Sequence, residues 1–323
     1  AKMQYSNCLK LFFSKEVMIQ LFYLLARWLC MTIRSIHSVA ENDVLAKPIF
    51  NENGDILLNS GVPLSRKMID RLKGKGVSYV YIEDPLTKDV NCESVITERV
   101  RMQSVKTIKE KFTEIATNQS LRKSILIDDF SKSFSTIVRT ILDNIRENDD
   151  AISLLSHVYL YDSYIFHHSL NVTIYAIALG EKIHLSDKQL EQLGLGAILH
   201  DIGKMAIPIE VLNKKDPLTA EEFKLIQEHA TIGFDILRKS HTIPLLAAHC
   251  AYQHHERLDG SGYPRGLKGD EIHLYAQIIG IADVFDAVTS QRVYRKAKLP
   301  HEGLELLYSG ADTLFDKDLV QAF

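Results

Sequence analysis

The sequence predicts a mainly α protein, in which an all-α helical bundle is preceded by a small α+β module and a helical connector. From residue 151 onward the pattern is helical in segment after segment, with one glycine-rich interruption at 259–270. Residues 31–88 instead combine β-rich runs, turn residues and one short helical pattern. The 323-residue chain is long enough for two or three such units and a sizeable core.

Composition and charge are those of an ordinary globular protein. Hydrophobic residues make up 46% of the chain and charged residues 24%, and the net charge is -3. This net charge gives no indication of a polyanion-binding surface, so nucleic acid is not favoured as a partner. The four cysteines show no CxxC spacing and no disulfide framework, which favours a reducing compartment and a cytoplasmic location.

Residues 1–30 contain one apolar run, from Val17 to Ala26, with charged residues on both sides. About 20 apolar residues are needed to span a bilayer, so no membrane span is expected. We interpret residues 1–30 as an N-terminal extension, either an amphipathic helix or sequence upstream of the natural start.

Residues 31–88 are predicted to form a ββαβ regulatory module. The expected elements are a strand at 44–50, a turn at 51–54, a strand at 55–59, a helix at 63–75 and a strand at 77–82. Pro48 favours an edge position for the first strand, and Gly76 suits the C-terminal end of the helix. The module has no cluster of ligand-type residues, which indicates an adaptor or sensory role.

Residues 89–150 are polar and helical in period, which predicts a helical connector. Two interpretations remain open. The connector either pairs with a second copy of itself, giving a homodimer, or is a simple linker with one solvated face.

Residues 151–323 are predicted to be the catalytic domain. The expected helices are 162–183, 186–199, 219–238, 244–255 and 275–290. Two of them open with a capping-box pattern, Ser186 with Gln189 and Thr219 with Glu222.

Seven candidate metal ligands are spread over these helices. They are His168, His200, Asp201, His229, His254, His255 and Asp283. A bundle can direct all of them at one cavity, and seven donors exceed the three or four that one zinc ion needs. A bridging Asp201 would suit two divalent ions, and imidazole with carboxylate but no thiolate favours iron or manganese.

Each donor also has an ordinary interpretation when it is considered singly. His168 or His229 alone would more often be a satisfied or exposed helix residue. His254 and His255 point about 100° apart on a helix, so one of the two could face solvent.

Three motifs in this region resemble the HD-GYP family, a branch of the HD phosphohydrolase superfamily. They are His200-Asp201-Ile-Gly-Lys204, His254-His255-Glu256 and Gly260-Ser-Gly262-Tyr263-Pro264. The similarity continues through Ala282-Asp283-Val-Phe-Asp286-Ala and Arg292-Val-Tyr-Arg295, and residues 31–88 resemble a module often placed ahead of this domain. The resemblance implies an all-α bundle with a two- or three-metal centre that hydrolyses cyclic di-GMP.

The resemblance also implies a ligand set for each ion. One ion would be held by His168, His200, Asp201 and Asp283, and the other by Asp201, His229, His254 and His255. Some members hold a third ion with a Glu one turn before the first His. Tyr164 stands at that position here, which favours two ions.

The implied reaction begins with a metal-bridging hydroxide that attacks a phosphodiester phosphorus, because two close cations lower the pKa of a shared water. The product would be linear pGpG, and whether it is cut further to GMP stays open. Asp201 and Lys204 are the predicted catalytic residues. Lys204, Tyr263, Arg292 and Arg295 are the predicted substrate-binding residues.

Alternatives stay open for these residues and for the function. Lys204, Arg292 and Arg295 could be solvated charges, and Tyr263 could lie beside a guanine or pack its loop onto the bundle. The family's loop is also associated with docking of cyclic di-GMP synthase (GGDEF-type) domains. The alternative functions are an HD-type hydrolase of another nucleotide and a non-catalytic cyclic di-GMP receptor or docking protein.

Overall fold

The computed structural model describes residues 31–50, 56–75, 77, 79–83, 96–117, 127–147, 164–212, 214, 216–290 and 298–323. The predicted extension at 1–30, the turn at 51–54, Gly76, Arg292 and Arg295 lie outside these residues. The chain divides into two compact units, Ala1–Ile49 with Ile56–Glu93, and Phe50–Asp55 with Ser94–Phe323.

The smaller unit is built from two strand pairs and one helix. Its elements are β1 (Met31–Ser35), β2 (Ile49–Phe50), β3 (Ile56–Leu58), α1 (Arg66–Gly74) and β4 (Tyr79–Glu83). Strand β1 pairs antiparallel with β4, and β2 pairs with β3. Strand β1 was not predicted from the sequence, because this short segment becomes a strand only by pairing with a segment more than 40 residues away.

Helix α1 begins after Ser65, whose side chain accepts a hydrogen bond from the backbone N–H of Met68 at 3.4 Å. It therefore starts three residues later than the predicted Pro63. The apolar side of the helix is buried through Ile69 and Leu72.

The larger unit consists of α-helices and short 3₁₀ turns. Its α-helices are α2 (Glu98–Thr117), α3 (Ile127–Glu147), α4 (Tyr164–Lys182), α5 (Asp187–Leu199), α6 (Ile209–Leu212), α7 (Ala220–Leu237), α8 (Leu245–Gln253), α9 (Leu274–Thr289), α10 (Pro300–Ser309) and α11 (Lys317–Ala322). The 3₁₀ turns are Ile202–Ala206 and Gly269–Glu271. This agrees with the predicted mainly α fold.

Helix α5 lies at the centre of this unit, packed against α3, α4 and α8. All of its residues from Leu193 to Leu199 are buried. Helix α9 packs on α4, and α7 packs on α8 and on the 3₁₀ turn that follows α5. The helices that carry the predicted ligands are thus direct neighbours.

The predicted connector helices α2 and α3 contribute to the same hydrophobic core. Phe112 of α2 and Phe134 of α3 are fully buried, with their rings edge to face at 6.2 Å. In the part of the chain that the structure describes, no helix is both long and apolar enough to cross a membrane.

Local sequence signals fix where the helices begin. At the start of α7, Thr219 Oγ1 accepts a hydrogen bond from Glu222 N at 3.2 Å, and Glu222 Oε2 accepts one from Thr219 N at 2.8 Å. At the start of α5, Gln189 Oε1 accepts a hydrogen bond from Ser186 N at 2.9 Å.

Candidate metal centre

The structure brings all seven predicted ligands together inside the helical unit. His168 is on α4, His200 ends α5, Asp201 opens the next 3₁₀ turn, His229 is on α7, His254 and His255 follow α8, and Asp283 is on α9.

The seven residues form two donor groups. The His168 group contains His168, His200 and Asp283, and the His229 group contains Asp201, His229, His254 and His255. Within each group, one ligand atom from every residue lies within 4.8 Å of the others. His254 is fully buried, and the side chain of His255 is 16% exposed. Both members of this histidine pair therefore face the cluster.

Asp201 lies between the two groups, with one oxygen directed at each. Its Oδ2 is 3.5 Å from His168 Nε2 and 3.4 Å from His200 Nε2. Its Oδ1 is 3.4 Å from His229 Nε2 and 3.8 Å from His254 Nε2. A carboxylate in this arrangement can bridge two cations.

Asp283 also lies between the groups, a feature that the sequence analysis did not anticipate. Its Oδ1 is 3.1 Å from His168 Nε2, and its Oδ2 is 3.7 Å from His255 Nδ1. The cluster is therefore held by two carboxylates, each of which faces histidines from both groups.

Backbone carbonyls orient three of the histidine rings. His200 Nδ1 donates to the carbonyl of Ala197 at 2.6 Å, and His229 Nδ1 donates to that of Ile226 at 2.6 Å. His254 Nδ1 lies 3.0 Å from the backbone carbonyl oxygen of Ala251. An N–H donated from Nδ1 leaves the lone pair on Nε2, which faces the cluster, as a metal ligand requires.

The fourth ring, that of His168, is oriented by a carboxylate. Its Nδ1 donates to Asp286 Oδ2 at 2.7 Å, while Asp286 Oδ1 accepts hydrogen bonds from Asn171 Nδ2 at 2.9 Å and Ser290 Oγ at 3.0 Å. Asp286 lies in one of the sequence motifs, but no role for it was predicted from the sequence. Its spacing of three residues from Asp283, which places both on one face of α9, is the signal that could have found it.

Charge in the cluster favours anionic carboxylates and mostly neutral histidines. Burial raises the pKa of Asp201, but Lys204, His200 and His229 outweigh burial and hold this pKa well below its ordinary value. Burial, followed by the charge of Lys204, lowers the pKa of His229 to about 4. Burial also holds the pKa of His254 well below its ordinary value. Neutral imidazoles have the free lone pair that coordination needs.

His168 differs from the other histidines. Burial lowers its pKa, but the carboxylates of Asp283 and Asp286 outweigh burial and raise the pKa to about 9. The two neighbouring carboxylates thus strongly favour the positively charged form of the His168 ring.

Two buried polar atoms indicate that the donor set fits metal ions. His200 Nε2 and Asp201 Oδ1 have less than 1 Å² of exposed surface and no hydrogen-bond partner among the residues that the structure describes. Unsatisfied buried polar atoms are costly in a native protein. Both atoms face the cluster, where a divalent cation would satisfy them.

Gly203 allows the turn that carries Asp201 to lie directly against α7. A Cβ at this position would be 1.9 Å from the carbonyl oxygen of His229 and 2.7 Å from Gly233 N. Only glycine can occupy this position without pushing the turn and α7 apart.

The predicted loop at 259–270 packs on the cluster through Tyr263. Its ring stacks on His255 with a centroid separation of 4.6 Å and an interplanar angle of 28°. The loop is held by the buried Glu256, whose two oxygens accept hydrogen bonds from Arg265 N at 2.8 Å and Leu267 N at 2.9 Å. The structure therefore gives Tyr263 a packing role against a predicted ligand.

Lys204 lies at the edge of the cluster, where its Nζ donates to Asp201 Oδ2. Its side chain is 17% exposed. Lys204 is therefore partly accessible at the cluster, whereas Arg292 and Arg295 belong to the residues that are not described.

The model of a known family, the HD domain, matches residues 154–319. This segment is about half of the chain and contains all seven donors. The chain belongs to the HD domain family. The resemblance to this superfamily that the sequence motifs indicated is thereby confirmed.

The chain is also similar to two curated relatives with phosphodiesterase names. A cyclic di-GMP phosphodiesterase of Thermotoga maritima is 34% identical over 246 residues, covering 75% of this chain and 64% of the relative. A 3'3'-cGAMP-specific phosphodiesterase (number 3) of Vibrio cholerae is 37% identical over 155 residues, covering 48% of this chain and 34% of the relative. The chain thus spans less than two thirds of the length of either relative.

A solved structure supports the fold of this HD-family member. Bd1817 of Bdellovibrio bacteriovorus, described as an HDG"Y"P protein, aligns with a TM-score of 0.57 over 90% of this chain and 97% of its own. The identity is 18%, so this likeness concerns the fold alone.

Proposed function

We propose that this protein is a metal-dependent phosphodiesterase that hydrolyses cyclic di-GMP to linear pGpG. The observation that carries the proposal is the pair of donor groups with Asp201 between them, one carboxylate oxygen directed at the histidines of each group. The name of the Thermotoga maritima relative supports the choice of substrate.

The proposed cofactors are two divalent ions, iron or manganese, one for each donor group. Bound there, they would activate water and stabilise charge on the phosphate oxygens. The carboxylate of Asp201 would hold both ions. The histidines whose Nδ1 atoms donate to backbone carbonyls, His200 and His229, would keep their Nε2 atoms directed at the ions. The choice of metal rests on the donor set, which contains no thiolate.

The chain's own residues have distinct proposed roles around the substrate. Lys204 is partly exposed beside Asp201, so its ammonium group can contact a phosphate oxygen of the substrate. Tyr263 shields one face of His255 and borders the site, where a base can approach it. Arg292 and Arg295 are proposed to bind phosphate through forked hydrogen bonds, on the strength of the family resemblance.

Location and partners follow from the same proposal. We place the enzyme in the cytoplasm, because its cysteines have no disulfide spacing and Cys250 is free and buried.

The glycine-rich loop at 259–270 is the proposed docking surface for GGDEF-type synthase domains, and the connector is the proposed homodimer contact. Both are supported by the family resemblance and the helical pattern of the sequence.

The test is metal analysis of anaerobically purified protein together with turnover of cyclic di-GMP. Asp201→Asn keeps the shape of the side chain but removes the bridging charge, so we expect loss of bound metal and of detectable turnover. Asp235→Asn is the matched control, since Asp235 is exposed on α7 and pairs with Arg238. Undiminished hydrolysis by Asp201→Asn would refute the metal mechanism.

A second substrate is favoured by the Vibrio cholerae relative, whose name specifies 3'3'-cGAMP. Competition between equal concentrations of cyclic di-GMP and 3'3'-cGAMP distinguishes the two candidates. Faster consumption of 3'3'-cGAMP would assign the protein to that substrate. Tight binding of cyclic di-GMP without turnover of either dinucleotide would instead indicate a receptor.

A further inference from the structure

A buried arginine lies behind the His168 group. Arg101 on α2 has 1% of its surface exposed, and its Nη1 donates to Asn171 Oδ1 at 2.7 Å. Removing a guanidinium from water costs several kcal/mol unless its hydrogen bonds are well satisfied. Its burial therefore calls for a specific network of partners.

The hydrogen bonds continue from Arg101 to the cluster without interruption. The same amide that accepts from Arg101 donates through Asn171 Nδ2 to Asp286 Oδ1 at 2.9 Å, and Asp286 Oδ2 accepts from His168 Nδ1 at 2.7 Å. Three hydrogen bonds thus join α2 to a predicted metal ligand on α4.

The direction of these bonds is set at the arginine end. Arginine is only a donor, so it must face the carbonyl oxygen of the Asn171 amide. This leaves the amide NH₂ group directed at Asp286. Ser290 Oγ donates to the same oxygen of Asp286, Oδ1, at 3.0 Å. With Oδ1 engaged by these two donors, Oδ2 is the oxygen that receives the N–H of His168.

We propose that Arg101 is a positioning residue for His168, acting through Asn171 and Asp286, so that α2 controls how tightly the His168 group holds its metal ion. This inference rests on the metal centre of the proposed function. It adds that the predicted connector reaches the site through a polar network as well as through the hydrophobic core.

The experiment is a titration of the metal-free full chain with Mn²⁺, followed by electron paramagnetic resonance of free Mn²⁺, with no dinucleotide present. Arg101→Met keeps the aliphatic length but removes the donors. We expect it to weaken one of two Mn²⁺ sites roughly tenfold, the lower end of the effect of outer partners on metal affinity. Arg101→Lys keeps a charged donor and should recover part of the loss.

A matched control separates positioning from general destabilisation. Val105 is also buried on α2, with 4% exposed, and belongs to the hydrophobic core. Val105→Ala should lower the melting temperature without changing either Mn²⁺ affinity. If Arg101→Met does not fold, Asn171→Leu tests the same network from α4, with the same roughly tenfold loss expected.

Two variants, each lacking a ligand of one donor group, show which Mn²⁺ site Arg101 affects. With His229→Ala only the His168 group remains intact, and there Arg101→Met should weaken the residual Mn²⁺ site. With His200→Ala only the His229 group remains, and there Arg101→Met should have no effect. Wild-type affinities in a folded Arg101→Met protein, or an equal loss in Val105→Ala, would overturn the proposal.

The titration is independent of the proposed substrate. Two Mn²⁺ sites with the expected losses, in a protein that cleaves neither dinucleotide, would sustain this inference while the proposed function failed. A wild-type chain that binds no Mn²⁺ would overturn this inference, and one that also binds no Fe²⁺ under anaerobic conditions would overturn the proposed function as well.

Discussion

Replacing Gly203 by alanine is expected to separate the Asp201 turn from helix α7. The new Cβ would lie 1.9 Å from the carbonyl oxygen of His229, so one segment must retreat by about 1.1 Å to reach even a 3.0 Å contact. His229 Nε2 and Asp201 Oδ1 are 3.4 Å apart across this contact. Metal–ligand distances tolerate only about 0.2 Å, so the His229 group should lose its ion.

The expected size of the effect follows from that displacement. A misplacement of about 1 Å costs roughly 100-fold in rate, and overpacking costs about 1–3 kcal/mol of stability. The assay is metal content and cyclic di-GMP turnover at a temperature where circular dichroism shows a folded variant. Gly74→Ala is the control, because no atom of the described part of the chain lies within 4 Å of a Cβ there. Full metal content and normal turnover in Gly203→Ala would refute the reasoning.

Three further predictions concern the surroundings of the cluster. Asp286→Asn removes the charge that orients His168, so we expect it to weaken Mn²⁺ binding about 10- to 100-fold in a calorimetric titration. An affinity within twofold of wild type would show that Asp286 has only a structural role. Tyr263→Phe keeps the ring on His255 and should preserve Mn²⁺ affinity, whereas Tyr263→Ala should lower it; equal losses in both would show that the hydroxyl matters instead. Chelation of bound metal should lower the melting temperature by roughly 5–10 °C in scanning fluorimetry, reversibly with Mn²⁺, and an unchanged temperature would count against a bound ion.

The local features of the fold were accessible from the sequence. The start of α7 follows from Thr219 and Glu222, because a capping box is a contact between residues three apart. Strand β1 was not accessible in this way, because its hydrogen bonds are made to a distant segment. Pairing between distant strands leaves little trace in a five-residue sequence.

The candidate site shows the same division. The sequence identified the seven donor side chains, because their chemistry and motifs are properties of the residues themselves. It left open whether both His254 and His255 face inward, and the turn after α8 decides this by bringing their ring centroids within 4.0 Å of each other.

The sequence by itself determined the helical pattern, the family resemblance and which seven residues are candidate metal ligands. Only the tertiary structure decided that Asp201 and Asp283 each face both donor groups, and that Arg101 reaches His168 through hydrogen bonds. The physical reason is the distance along the chain over which each effect acts. Helix periodicity is local and fixes which side chains share a face of one helix. The packing of α4, α5, α7, α8 and α9 brings distant segments together and fixes which of these faces meet.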